Sequence, residues 1–273
     1  MTDLLTTRSG RVKAARKLTQ RKHRAEHRLF LAEGAKALTE ALVAGCVREV
    51  FATSAATASY DDLRRAVTDR GLRWQVAEVD AVASLSGTVT PQGLVAVCRF
   101  LDVPPAEVAA GDGFLAVCAD VRDPGNAGTV IRTADAAGAA GVVLAGHSVD
   151  AYNDKTVRAT VGSLFHLPIA LQADLAAVVQ TLHEEGWTVL AADGAGDTDL
   201  FDAEGLLTGK VAWLFGNEAW GLPSDLAAVA DHRVAIPILG RAESLNLATA
   251  AAVCLYATAR TRRHSPGRTS PHS

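Results

Sequence analysis

Arg132 is a residue whose type and position could serve chemistry. It falls two turns into a helical stretch, Ala127–Ala137, otherwise built largely from Ala, Gly, Thr, Val and Ile. A guanidinium there has two uses. It can pair with Asp135 three residues on, a contact that contributes only ~0–1 kcal/mol when exposed. Or it can join the free amides at the helix start in holding a phosphate. Other polar residues recur at loop positions. Asn126 stands where an N-cap belongs, after the turn Pro124-Gly125. The turn 216–223, Gly-Asn-Glu-Ala-Trp-Gly-Leu-Pro, carries two glycines whose missing side chains let main-chain amides approach a ligand. Ser244-Leu245-Asn246 precedes a long helix made of small and apolar residues almost all round, the pattern of a buried helix.

These residues need elements to position them. Val211–Phe215 and Val234–Leu239 are short apolar runs stopped by Gly216 and Gly240, as buried strands would be. Phe114–Ala119, the helix after Asn126 and Gly141–Ala145 form a strand–helix–strand unit that implies parallel strands. Two strand ends and a helix start thus converge, the arrangement in which open α/β sheets build binding sites. The bland alternative is three ordinary loops. Asp193-Gly194-Ala195-Gly196-Asp197 also follows a strand, but no third glycine or well-placed helix comes after it. It is read as a loop that touches ligand at most through its backbone, not as a Rossmann glycine loop.

The remainder of the chain sets bounds. At 273 residues it is comfortable for two domains. The division expected is a basic arm at 1–28, an α/β domain at 29–100, a Pro-rich linker at 101–113, a larger domain at 114–262 and a disordered tail at 263–273. In the first domain, helices are expected over 33–45, 60–70 and 79–85, and strands over 47–52, 73–77 and 93–100. No apolar run approaches the ~18 residues of a membrane span, and no secretory h-region opens the chain. Cys46, Cys98, Cys118 and Cys254 are widely spaced in apolar segments, which points to free buried thiols in a reducing cytoplasm rather than disulfides or zinc.

The formal charge of −3 conceals nine Lys/Arg against one acid between Arg8 and Arg28. The segment reads either as a solvated or disordered arm or as a phosphate-contacting surface. On the second reading the RNA contacts are Arg8, Arg11, Lys13, Arg16, Lys17, Arg21, Lys22 and Arg24, with Arg158 from the later segment 155–168. That later segment reads equally as a helix with a charged outer face. His23 and His27 share one helix face but lack a third ligand at metal-site spacing, so no metal is expected.

Three segments, N-A-G-T-V-I-R-T-A (126–134), L-F-G-N-E-A-W-G-L (214–222) and I-P-I-L-G-R-A-E-S-L-N-L-A (236–248), are similar to the three motifs of the SpoU/TrmH family of S-adenosylmethionine-dependent RNA 2′-O-methyltransferases. Residues 155–168 resemble a further family segment. Residues 30–97, from F-L-A-E-G to Q-G-L-V-A-V, look like the L30e-like substrate-binding domain of members that modify rRNA. The resemblance implies a C-terminal α/β domain with a trefoil knot and a homodimer with its active site at the subunit interface. It implies S-adenosylmethionine as cofactor, held by Leu214, Gly216, Asn217, Ile236 and Leu245. It implies Arg132 as the catalytic arginine, with Asn126, Glu218, Ser244 and Asn246 completing the polar site. The substrate implied is 23S rRNA; the alternatives are a tRNA, or a non-enzymatic role in RNA binding or ribosome assembly. His166, where the family often has Arg, and Leu247, where Val is common, are the departures.

Overall fold

The computed structural model describes residues 4–88, 90–217, 221–222 and 227–264. They divide into two units, the first made of residues up to Leu101 with Asp150–His166, the second of Asp102–Val149 with the rest from Leu167.

In chain order the first unit contains α1 (Gly10–Lys17), α2 (Arg21–His27), β1 (Leu29–Glu33), α3 (Ala35–Val43), β2 (Val47–Ala52), α4 (Ser54–Ser59), α5 (Asp61–Asp69), β3 (Arg73–Val76), α6 (Val79–Ala83) and β4 (Leu94–Arg99). The second begins with α7 (Pro105–Ala109), β5 (Phe114–Ala119), α8 (Pro124–Ala137) and β6 (Gly141–Ala145). Then α9 (Asp154–Thr160) returns to the first unit. The second resumes with β7 (Ile169–Gln172), α10 (Leu175–Glu184), β8 (Thr188–Ala192), β9 (Thr198–Asp199), β10 (Val211–Phe215), β11 (His232–Ala235) and α11 (Leu247–His264).

The first unit holds a four-stranded sheet in the order β1-β4-β2-β3, antiparallel except for β2 with β3. Its basic N-terminus is not a solvated arm. Val12, Ala15 and Leu18, at helical spacing, are buried in one cluster with Leu31, Phe51, Val95 and Val97. Three apolar residues suffice to dock an otherwise charged helix, because only one narrow face must be dry. Arg24 is buried too. Its Nε and Nη2 donate to Asp150 at 2.9 and 2.7 Å, and its Nη1 donates to the carbonyls of Leu18 and Thr19. That bond helps explain why 150–166 packs in this unit rather than in the 114–262 domain drawn from the sequence. Tyr152 stacks on Phe100 and packs on Phe30, and its hydroxyl accepts from the Leu101 amide at 2.7 Å.

The second unit is a seven-stranded, all-parallel sheet in the order β7-β6-β5-β10-β8-β11-β9. Its central strands β5, β6 and β10 are buried along their whole length, as apolar runs covered on both faces should be. The expected linker 101–113 contains α7, whose Val108 and Ala109 join the core under the sheet. Proline at the first helical turn starts a helix as readily as it breaks one. Trp213 on β10 donates its Nε1–H to Thr258 Oγ1 at 2.8 Å, and Thr258 in turn donates to the Cys254 carbonyl, fastening α11 to the sheet. Among the described residues no helix is long and apolar enough to cross a membrane.

Candidate active site

Gly216 ends β10 at the centre of the parallel sheet. A Cβ on it would lie 2.4 Å from the Gly221 carbonyl atoms and 2.5 Å from the Leu222 nitrogen, so no other residue fits without moving main chain. The turn closes on itself: the Asn217 and Gly221 amides each donate to the other's carbonyl, at 2.8 and 2.9 Å, with Gly221 at φ +68°. Asn217 is buried, and its Nδ2 donates to the Asp120 carbonyl at 2.7 Å, which ties the ends of β10 and β5 together. Glu218 lies outside the described residues.

The second strand is shorter than its apolar run. β11 stops at Ala235, and Ile236, Pro237 and Ile238 leave the sheet. Pro237 has no amide to give a ladder, so the strand ends before it. The departing residues line a cavity of about 570 Å³ together with Gly216, Asn217, Gly221, Ser244 and Leu245. A size of ~300–1,000 Å³ is usual for small-ligand sites. The same cavity is lined by Asp193 and Gly194 of the glycine loop dismissed as a nucleotide loop. Here that loop is a wall. The Asp193 carboxylate holds Arg233 at 3.0 and 2.7 Å, its amide donates to the Val234 carbonyl, and Gly196 packs against the main chain of Arg233 and Ala235 too closely for a Cβ.

Asn246 caps α11. Its Oδ1 accepts from the Ala248 and Thr249 amides at 2.9 and 3.3 Å, and its Nδ2 donates to Asn126 Oδ1 at 3.1 Å. Asn126 is not the cap of α8. The helix begins at Pro124, and Asp123 accepts from the Asn126 amide at 2.7 Å. Asn126 therefore sits in the first turn with its side chain available to bridge to Asn246.

Among the residues expected from the resemblance, Gly216, Asn217, Ile236, Ser244 and Leu245 line the cavity. Leu214 does not: it is fully buried in the core, because strand residues alternate sides, and Phe215 is the aromatic at the wall. Arg132 is exposed, lies outside the cavity lining and makes no hydrogen bond or ion pair to a described residue, so the proposed Asp135 pair is not formed. It shares an outward stripe of α8 with Thr129 and Ala136.

The basic residues separate. Arg8, Arg11, Lys13, Lys17, Arg21 and Lys22 are exposed. Arg16 is half-buried and donates to the Thr7 carbonyl at 2.7 Å, Arg24 is the buried partner of Asp150, and Arg158 pairs with Asp154 at 3.0 Å. Glu26 adds a carboxylate to the His23–His27 pair, the three ligand atoms lying within 4.8 Å of one another, though two of these residues are exposed. Cys46, Cys98, Cys118 and Cys254 are all buried free thiols, and desolvation pushes the Cys254 thiol well above its usual range.

Sequence comparison gives this geometry a context. Residues 113–256 match the SpoU rRNA Methylase family, and residues 10–96 match the MRM3-like substrate binding domain. The 23S rRNA (guanosine(2553)-2′-O)-methyltransferase RlmP of Bacillus subtilis is 34% identical over 94% of this chain and 98% of its own length. The 23S rRNA (uridine(2479)-2′-O)-methyltransferase of Streptomyces viridochromogenes is 36% identical over 66% of this chain and 64% of its own. Among solved structures, an AdoMet-bound rRNA methyltransferase from Sinorhizobium meliloti shares 35% identity and a TM-score of 0.82, covering 92% of this chain and 95% of that one. A substrate-binding match that starts at Gly10 also accounts for the folded basic segment. By sequence and by fold, the chain belongs to the SpoU rRNA methylase family.

Proposed function

We propose that the chain transfers the methyl group of S-adenosylmethionine to a ribose 2′-hydroxyl of 23S rRNA in the cytoplasm. The observation that carries this reading is the cavity at Gly216: a pocket at the carboxyl ends of parallel strands beside a turn too tight for any Cβ at that position. It suits the proposed cofactor. Main-chain groups around Gly216, Ile236 and Leu245 offer donors and acceptors to an adenosine, and Phe215, Leu247 and Ala250 give the apolar wall an adenine needs.

When bound, the cofactor supplies an activated methyl electrophile. The remaining work is alignment and charge. Asn246, fixed by its own helix and by Asn126, presents a polar edge at the start of α11. Arg132 supplies positive charge for the developing 2′-alkoxide. It stays protonated at ordinary pH, so the departing proton goes to a substrate phosphate rather than to the guanidinium. Glu218 orients Arg132 or a donor on the RNA.

Arg132 faces outward from its own chain, and so does much of α11. The helix buries Ala248, Ala251, Cys254, Leu255 and Thr258, yet leaves Tyr256 52% exposed. A helix this rich in small residues, expected to be buried all round, is only half covered within one chain. That supports a homodimer in which the guanidinium of one copy serves the cavity of the other; the trefoil knot of the family belongs to the same reading. Mixing inactive Arg132→Ala with inactive Gly216→Ala protein tests it. Restored activity in the mixture supports the shared site, and none at any ratio refutes it.

The rRNA reading is favoured over tRNA by the substrate-binding domain and by the two relatives above. These modify a guanosine and a uridine, so what they share is the ribose. The experiment that decides is methylation of 23S rRNA and tRNA with labelled cofactor, followed by mapping of the modified ribose. A protein that binds RNA but gains no thermal stability from S-adenosylmethionine would instead be a non-enzymatic assembly factor; at 100 times its Kd the cofactor should add ~2.7 kcal/mol.

A further inference from the structure

The first unit contains a second cavity, of about 310 Å³, lined by residues of β1, α3, α9 and the loop after α6. Glu33, the last residue of β1, faces it. One carboxylate oxygen, Oε1, accepts from the Thr88 hydroxyl at 2.5 Å, while Oε2 is buried and without a hydrogen-bond partner. A buried acceptor left unpaired is costly, more so when charged, so it marks a place where a donor belongs. Lys36 and Arg158 line the same cavity, Arg158 held by Asp154 at 3.0 Å. Leu31, Leu85, Val157 and Val161 give it apolar walls.

The backbone is constrained here as well. Val161 has φ +52° and Gly162 φ +105°. A β-branched residue in the left-handed region is an outlier, of the kind that persists where the fold holds a functional surface.

The ligand must bring donors to Glu33, an acceptor to Lys36 or Arg158, and a flat apolar body between. Lys36 and Arg158 are balanced in the lining by Glu33 and Asp154, which suits a neutral ligand with both donors and acceptors, and among the described residues no set of three metal-ligating groups forms there. We infer that this cavity reads an unstacked guanine of the RNA, Glu33 accepting from N1–H and the 2-amino group, Lys36 or Arg158 donating to the acceptor edge. Carboxylate oxygens each accept twice, so the Thr88 bond leaves room for both donors. Splayed-out bases read on their Watson–Crick edges are the usual route to sequence-specific RNA recognition. The inference rests on the reading of RNA as substrate and names which base of it the first unit selects.

The test uses the full chain and a fluorescent uridine octamer carrying one central guanosine, or inosine, adenosine or cytidine in its place. Guanosine should bind about tenfold or more tighter than adenosine, with inosine between, since it lacks the 2-amino donor. Glu33→Gln should reduce the guanosine preference to within about twofold and leave cofactor-induced thermal stabilisation intact. Should that variant not fold, Lys36→Met, at an exposed position, should weaken guanosine binding several-fold without touching the uridine-only strand. Equal binding of all four octamers by the unaltered protein, or a preference undiminished in both variants, overturns the inference. Methyl transfer to 23S rRNA without any base preference refutes this pocket alone; base preference without methyl transfer refutes the enzymatic reading alone.

Discussion

The two cavities are built from different materials. The one at Gly216 is largely main chain: a turn closed by its own amides, a strand released from the sheet before Pro237, and a helix start capped by Asn246. The one at Glu33 rests on side chains, with two carboxylates, two cations and aliphatic walls. A main-chain site tolerates change in most neighbouring side chains but none at the positions where backbones touch. A side-chain site owes its identity to a few functional groups, here held by a backbone that is itself constrained at Val161 and Gly162. The contrast suits a shared cofactor on one side and a variable RNA on the other.

Several substitutions would break or sharpen that contrast. The largest effect should be on stability and fall in the first unit. Arg24→Met leaves Asp150 buried without its partner and should cost ~3–5 kcal/mol in urea unfolding. A loss of RNA affinity with stability unchanged would restore Arg24 to the RNA-binding surface. In the second unit, Arg132→Lys keeps the charge but loses the planar fork. Single-turnover methylation should fall ~10²–10³-fold, about 2.7–4 kcal/mol of barrier, with cofactor affinity unaltered; a rate equal to wild type would remove Arg132 from the chemistry.

Gly216→Ala should abolish the ~2.7 kcal/mol stabilisation by S-adenosylmethionine at 100 times Kd, because the added Cβ displaces the Gly221 carbonyl. Parallel Gly194→Ala protein should retain most of it, since a Cβ there meets no protein atom within 4 Å; equal losses would show that the wall at Gly194 presses on the cofactor as closely as the turn at Gly216. Thr258→Val leaves the Trp213 indole N–H buried without an acceptor and should cost ~1–3 kcal/mol. The smallest effect is electrostatic. Removing Lys13, Lys17 and Arg21 together should lower the slope of log affinity against log salt by roughly 0.7–0.9 per charge, with base preference unchanged.

What could be read from the residues alone followed local rules. Apolar runs of strand length located β2, β5, β6 and β10, and the glycines after β6 and β10 marked where the chain had to turn. No local rule gathered Gly216, Asn217, Ile236, Ser244 and Leu245 into one site; the family resemblance implied it, and all five line one cavity. The failures have separate causes. β1 is five residues, Leu-Phe-Leu-Ala-Glu, and periodicity over so short an apolar run does not separate strand from helix. The family motif implies Leu214 as a neighbour of the cofactor pocket, but it is buried in the core under the sheet.

Three features needed partners distant in sequence. Arg24 and Asp150 are 126 residues apart, so nothing near Arg24 distinguished a buried structural cation from the surface bases beside it. Asn126 and Asn246, 120 apart, meet only because α8 and α11 start at neighbouring points. Glu33 gained meaning only when β1, α3 and α9 enclosed its carboxylate and left one oxygen unpaired. Composition and spacing determine which segments bury and which turn, since those depend on each residue's own solvation and backbone freedom. Which charges end up paired, exposed or waiting for a ligand was decided by the tertiary fold, because burial and partnership belong to groups the chain brings together from far along its length.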